Sequence, residues 1–167
     1  MAESTKRTIL ITGASRGIGR AIAYAAAPHF DRMIITCKNS SDKLLDLGQE
    51  LTSNHAIECL TYIGDMGDYA FVESVFAGLD RIDAVVNNAG ISHVGLLSDM
   101  TPDEWNHVIN TNLNSVFYTS KFAIPLMLAN MLQLFYNAAD MIVVGMFRGD
   151  NAVASIGSTG SLTALLI

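Results

Sequence analysis

The short apolar run Ile9-Leu10-Ile11 leads directly into Thr12-Gly13-Ala14-Ser15-Arg16-Gly17-Ile18-Gly19, and an alanine-rich stretch from Ile18 to Ala27 follows. The first run reads as a strand and the last as a helix. A strand, a glycine turn and a helix in immediate succession confine the chain to architectures in which crossover helices join parallel strands. Glycines let the main chain approach a ligand closely, and the amides at a helix start stabilise negative charge. The turn is therefore a candidate cradle for a pyrophosphate. Its glycine spacing is looser than the strict dinucleotide fingerprint, so a plain tight turn is the competing reading of this segment alone.

The alternation continues downstream. Met33 to Cys37 is a second strand candidate, and Ser40 to Leu51 is a helix carrying Leu44, Leu45, Leu47 and Leu51. Ile57 to Ile63 and Ala84 to Val86 supply two further strands around a helix at Tyr69 to Leu79. Thr101-Pro102-Asp103-Glu104 has the form of a helix start with a capping box, and a change of course is expected near Asn110 to Asn112. Asp140 to Gly145 reads as a fifth strand, leaving Met141-Ile142-Val143-Val144 at a sheet edge. The fold class expected is α/β: one three-layer Rossmann-like domain over residues 1–167 with a parallel sheet, incomplete at the C-terminus.

Composition narrows the function classes. A net charge of -6, from 10 basic and 16 acidic residues, gives no support to a nucleic-acid backbone surface. No uninterrupted apolar run reaches the ~18 residues of a membrane span, and Met1 to Lys6 lacks a signal core, so no membrane partner and a cytoplasmic location are expected. Cys37 and Cys59 form no metal motif and read as reduced thiols. His29, His55, His93 and His107 likewise lack metal-ligand spacing. Asp99, Asp103 and Glu104 suit solvation and helix electrostatics, while Met127, Met131, Met141 and Met146 read as fillers of hydrophobic gaps.

Cys37-Lys38-Asn39 stands at the end of the second strand, where a dinucleotide ribose lies in such folds. It offers a cation where an acid commonly accepts the ribose hydroxyls, and Arg16 can add a second positive donor. Together they favour a 2'-phosphate over a bare 2'-hydroxyl. Ordinary surface placement explains either residue equally well when taken separately.

The Thr12 to Gly19 pattern, Asp65-Met66, Asn87-Asn88-Ala89-Gly90 and Asn112, occurring in this order, resemble the classical short-chain dehydrogenase/reductase family. The style is that of oxoacyl carrier-protein reductases and sugar alcohol dehydrogenases, and the resemblance covers approximately Lys6 to Leu128. It implies that Gly13, Ser15, Arg16, Gly17, Ile18 and Gly19 form the cofactor loop, with Ile18 beneath the nicotinamide side. It further implies that Lys38 and Asn39 face the ribose, Asp65 and Met66 contact adenine, and Asn88, Ala89 and Gly90 line the cofactor. Asn112 is the implied catalytic-site asparagine, which helps to place a lysine through water. The implied cofactor is NADP(H), with NAD(H) the alternative, and the implied substrate is a small carbonyl or alcohol. A homo-oligomer formed through long helices is implied as well.

The family pattern fades after about Leu128. Members place a serine after the fifth strand, then a tyrosine and a lysine four positions apart, which transfer a proton and orient the ribose. Here Val143, Val144 or Met146 occupies the serine region, and Ile156 and Gly160 fall at the tyrosine and lysine positions. Tyr136 is the last tyrosine and Lys121 the last lysine. The chain is expected to stop within a long helix beginning near Ser158, with two family strands and much of the substrate region missing. The expected function is that of an NADP(H)-dependent oxidoreductase relative with impaired turnover. The competing classes are a non-catalytic dinucleotide-binding or assembly protein and an unstable shortened product.

Overall fold

The computed structural model describes residues 6–148. Nine principal elements succeed one another in these residues: β1 (Thr8–Ile11), α1 (Gly17–Ala26), β2 (Arg32–Cys37), α2 (Ser41–His55), β3 (Glu58–Ile63), α3 (Tyr69–Phe76), β4 (Ala84–Val86), α4 (Pro102–Ile109) and α5 (Ser115–Arg148). The four strands form one sheet in the order β3-β2-β1-β4, and every neighbouring pair is parallel. β1 and β2 are buried along their whole length, which explains their unbroken apolar runs: a central parallel strand is covered on both faces.

Strand alternation divides the core in two. Ile9, Ile11, Met33 and Ile35 turn to one face, where Ala23 of α1 and Leu44, Leu47 and Leu51 of α2 cover them. Leu10 and Ile34 turn to the other, against Val72, Val75 and Phe76 of α3 and Ala123 of α5. The result is helix, sheet, helix, the three-layer α/β arrangement expected. Because β2 and β3 lie on one side of β1 and β4 on the other, the chain reverses direction across the sheet between β1 and β4. Ligands of open parallel sheets bind beyond the strand ends at such a switch point.

The early elements follow the sequence reading to within a few residues, and Thr101 and Glu104 close a full capping box. The expected interruption near Asn110 is a π-helical turn, Asn110–Asn114, which joins α4 to α5 without ending the helix.

Two expectations are corrected. Asp140 to Gly145 is helix within α5 and not a fifth strand, so Met141 to Val144 form no sheet edge. Residues 127–141 contain neither glycine nor proline and are rich in Met, Leu and Ala, so helix propagation carries through the local Ile142-Val143-Val144 strand signal. Met131 and Met141 are exposed rather than filling gaps, whereas Ala123 is buried and Leu126 and Met127 pack on the second core. The helical stretch Pro102–Val143 is long and apolar enough to cross a membrane by length and composition alone. Its inward residues Tyr118, Phe122, Ala123, Leu126 and Met127 pack on the core, as in a layer of an α/β domain. The expected helix near Ser158 and the 156–165 segment lie outside the described residues.

Candidate nucleotide-binding site

A cavity of about 480 Å³ opens at the C-terminal ends of the strands. It falls within the usual ~300–1,000 Å³ range of small-molecule sites. It is lined by Gly13, Ser15, Arg16, Gly17 and Ile18 of the glycine loop, by Lys38, Asn39, Asp65 and Met66 beyond β2 and β3, and by Asn88, Ala89 and Gly90 beyond β4. The structure thus gathers into one cavity the loop, ribose-end and strand-end residues singled out from sequence, with two exceptions. Gly19 lies behind the loop, and Asn112 stands one step behind the wall.

The loop has its shape for steric reasons. Gly13 has φ +67°, in the left-handed region, and a Cβ there would sit 2.9 Å from Cα of Ala89. A Cβ on Gly19 would lie 2.5 Å from both Asn88 Nδ2 and the Gly13 carbonyl oxygen. Hydrogen bonds then tie the loop to the end of β4. Asn88 Nδ2 donates to the carbonyls of Thr12 (2.9 Å) and Gly13 (3.1 Å), while Thr12 Oγ1 accepts from the amides of Asn88 and Ala89. The α1 N-terminus that follows carries no side-chain cap and no acidic residue in its first turn. Its free amides and positive dipole end therefore suit an anionic ligand. Ile18 is 73% exposed beside it, so its apolar side chain is available to a ligand and contributes nothing to the core.

The electrostatics concentrate at the ends of β2 and β3. Lys38 Nζ pairs with Asp65 Oδ2 at 2.6 Å, while Asp65 Oδ1 accepts the Gly67 amide at 2.8 Å. Burial opposes the charged form of Asp65, but the Lys38 ammonium, the Gly67 amide and nearby His107 outweigh it and hold the carboxyl below its ordinary range. Arg16 makes no ion pair among the described residues. Cys37 also lines the cavity; burial raises its thiol, against hydrogen bonds from Ser40 and Ser15, so it is a neutral group there.

Asn112 holds Ile91 through both amide atoms: Oδ1 accepts the Ile91 amide and Nδ2 donates to the Ile91 carbonyl, each at 2.8 Å. Ile91 itself lines the cavity, so Asn112 acts on the site by fixing its rim. Residues not anticipated from sequence complete the lining: Thr36, Ser40, Gly64, Ile91, His107 and Thr111. His107 and Thr111 are four residues apart at the helix junction, a same-face spacing that could have flagged them once Asn112 was chosen. Thr36 and Thr111 stand out chemically. Their buried hydroxyl oxygens have no hydrogen-bond partner among the described residues, although both residues line the cavity. Such groups are costly unless something else supplies the missing bond.

The family profile described as short chain dehydrogenase matches residues 7–145, and the chain belongs to that family. It is 43% identical over 122 residues to the 3-oxoacyl-[acyl-carrier-protein] reductase FabG of Salmonella typhimurium, covering 67% of this chain and 46% of that protein. A metagenomic short-chain oxidoreductase solved in complex with NADP is 32% identical with a TM-score of 0.67, over 74% of this chain and 57% of the other. An alcohol dehydrogenase from the archaeon Thermococcus sibiricus, complexed with 5-hydroxy-NADP, is 30% identical with a TM-score of 0.65, over 72% and 53% of the two chains. The chain spans about half the length of the curated relatives it matches.

Proposed function

We propose that this chain binds NADP(H) in the cavity at the β1/β4 switch point, as the dinucleotide-binding part of a short-chain oxidoreductase acting on a small carbonyl or alcohol. The carrying observation is the convergence, on one cavity, of an uncapped helix N-terminus, two cations and two orphaned buried hydroxyls. Gly13, Ser15 and Gly17 bring main-chain amides to the pyrophosphate, Gly19 lets the loop pack closely on Asn88 behind them, and Ile18 packs under the nicotinamide end. Arg16, Lys38 and Asn39 take the 2'-phosphorylated ribose, and Asp65 and Met66 the adenine. Asn88, Ala89 and Gly90 line the cavity, while Asn112 positions the rim through Ile91. Thr36 and Thr111 gain the partners they lack. A bound nicotinamide supplies the hydride. The two solved neighbours named above hold NADP or a derivative of it, which supports the phosphorylated cofactor. A cytoplasmic setting, in which Cys37 and Cys59 stay free thiols, belongs to the same proposal.

Turnover by this chain alone is proposed to be weak, because no tyrosine in it is followed four positions later by a lysine. General acid catalysis contributes roughly 10²- to 10⁴-fold, and the sequence carries no counterpart of the tyrosine and lysine pair that would supply it. The same observation favours, as second reading, a dinucleotide-binding protein without turnover. Calorimetry with NADPH and NADH tests the binding: NADPH binds more tightly, and Lys38→Ala narrows the gap. Equal affinities in the unmodified chain would refute the assignment. An anaerobic assay with small ketones, sugars and oxoacyl thioesters separates the two readings, since any cofactor consumption above background excludes the second.

A further inference from the structure

We propose that Asp65 sets the cofactor preference of this site by competing with the 2'-phosphate for the Lys38 ammonium. The inference rests on the NADP(H) reading above and concerns how strongly the site distinguishes NADPH from NADH. Lys38 is the cation placed nearest the ribose end by the sequence, yet its ammonium is already committed to Asp65 at 2.6 Å. Both residues line the same cavity, so a ligand phosphate entering there meets an occupied donor.

The two partners differ in freedom. Asp65 is anchored on its other oxygen by the Gly67 amide, and the Gly67 carbonyl is in turn held by Asn110 Nδ2 at 3.0 Å. Its carboxylate therefore cannot follow Lys38. The lysine side chain is 46% exposed on a flexible stem and can swing away. Arg16, which lines the same cavity, has no carboxylate partner among the described residues and is available without any such exchange. With NADH, which lacks the 2'-phosphate, the Lys38–Asp65 pair stays closed. With NADPH it opens, and the interaction lost with Asp65 is subtracted from the interaction gained with the phosphate. Asp65 thus weakens discrimination, and the preference seen in the unmodified chain falls short of what its two cations could deliver.

The test uses the 167-residue chain and the ratio of the NADH and NADPH dissociation constants, so that any change in adenine binding cancels. Asp65→Asn keeps an oxygen for the Gly67 amide and removes the competing charge. The preference for NADPH should rise about two- to fivefold, the scale of an exposed ion pair. In a Lys38→Ala background the same Asp65→Asn change should leave the ratio where it was. An equal rise with and without Lys38 would mean simple repulsion between carboxylate and phosphate, and would overturn the proposal. So would an unchanged ratio in Asp65→Asn alone, while the NADPH preference of the unmodified chain left the cofactor reading intact. Binding of neither nucleotide overturns both. A second measurement needs no variant: the Lys38 ammonium resonance of the unmodified chain should shift with 2',5'-ADP and stay in place with 5'-AMP. Identical shifts with the two nucleotides would also overturn the role assigned to Asp65.

Discussion

Replacing Asn88 by alanine and by aspartate separates the geometry of the loop clamp from its charge. The Asn88 amide nitrogen donates to the Thr12 and Gly13 carbonyls at 2.9 and 3.1 Å, at the point where the glycine loop meets the end of β4. Alanine deletes two bonds in a half-buried setting. At about 1 kcal/mol for each bond, the loss is about 2 kcal/mol. With a urea slope of about 2 kcal/mol/M, the unfolding midpoint falls by about 1 M at unchanged slope. Aspartate is nearly isosteric but turns an acceptor toward two acceptors, and it should destabilise by a further ~1–3 kcal/mol at neutral pH. Its carboxyl is expected to titrate higher in the folded than in the unfolded chain, because only the protonated form can donate to either carbonyl. The aspartate variant's deficit relative to alanine is therefore absent below the unfolded pKa of about 3.9 and grows as pH rises through the folded value. Urea unfolding of both variants at several pH values reads this directly. Equal midpoints for the two variants across pH, or an alanine loss under about 0.5 kcal/mol, would show that the loop does not depend on this clamp. Both variants should also weaken NADPH binding, since the clamp fixes the loop that receives the pyrophosphate.

Three further outcomes are expected. Stability should decline toward acid partly through Glu58: the Lys6 hydrogen bond, against burial and helped by Arg32, holds its carboxyl below the ordinary value. A depressed carboxylate contributes above its unfolded pKa and loses that contribution as pH falls through the folded one, so Glu58→Gln should flatten the acid limb of a pH-dependent unfolding series. Thr101→Ala breaks the capping box of α4 and should cost about 1 kcal/mol in chemical denaturation, with Thr101→Ser restoring most of it. The exposed Phe117, Leu128, Leu132, Leu134 and Phe135 of α5 should drive self-association. Light scattering after size exclusion across a concentration series should give a mass above the 18.0 kDa monomer, and a strict monomer at every concentration would refute it.

What the sequence determined by itself is what short-range chemistry controls. The glycine loop, the buried strands β1 and β2, and the Thr101–Glu104 capping box each depend on residues a few positions apart, so composition and spacing announce them. The strand expected at Asp140 to Gly145 went the other way for a reason of context. A β-branched triplet at the end of a long run of helix formers adds to an existing helix at little cost, whereas a new strand would have to break it. Other features were decided only in three dimensions. The register that pairs Cys37 with Ile63 sets the ends of β2 and β3 side by side, and so brings Lys38 within reach of Asp65, two residues past Ile63 and across the α2 crossover. Thr36 and Thr111 likewise become notable only when the packed chain leaves their hydroxyls buried, unbonded and beside one cavity. Sequence spacing reports which donors and acceptors a chain carries; which of them satisfy one another, and which are left for a ligand, depends on contacts between distant segments that only the closed fold creates.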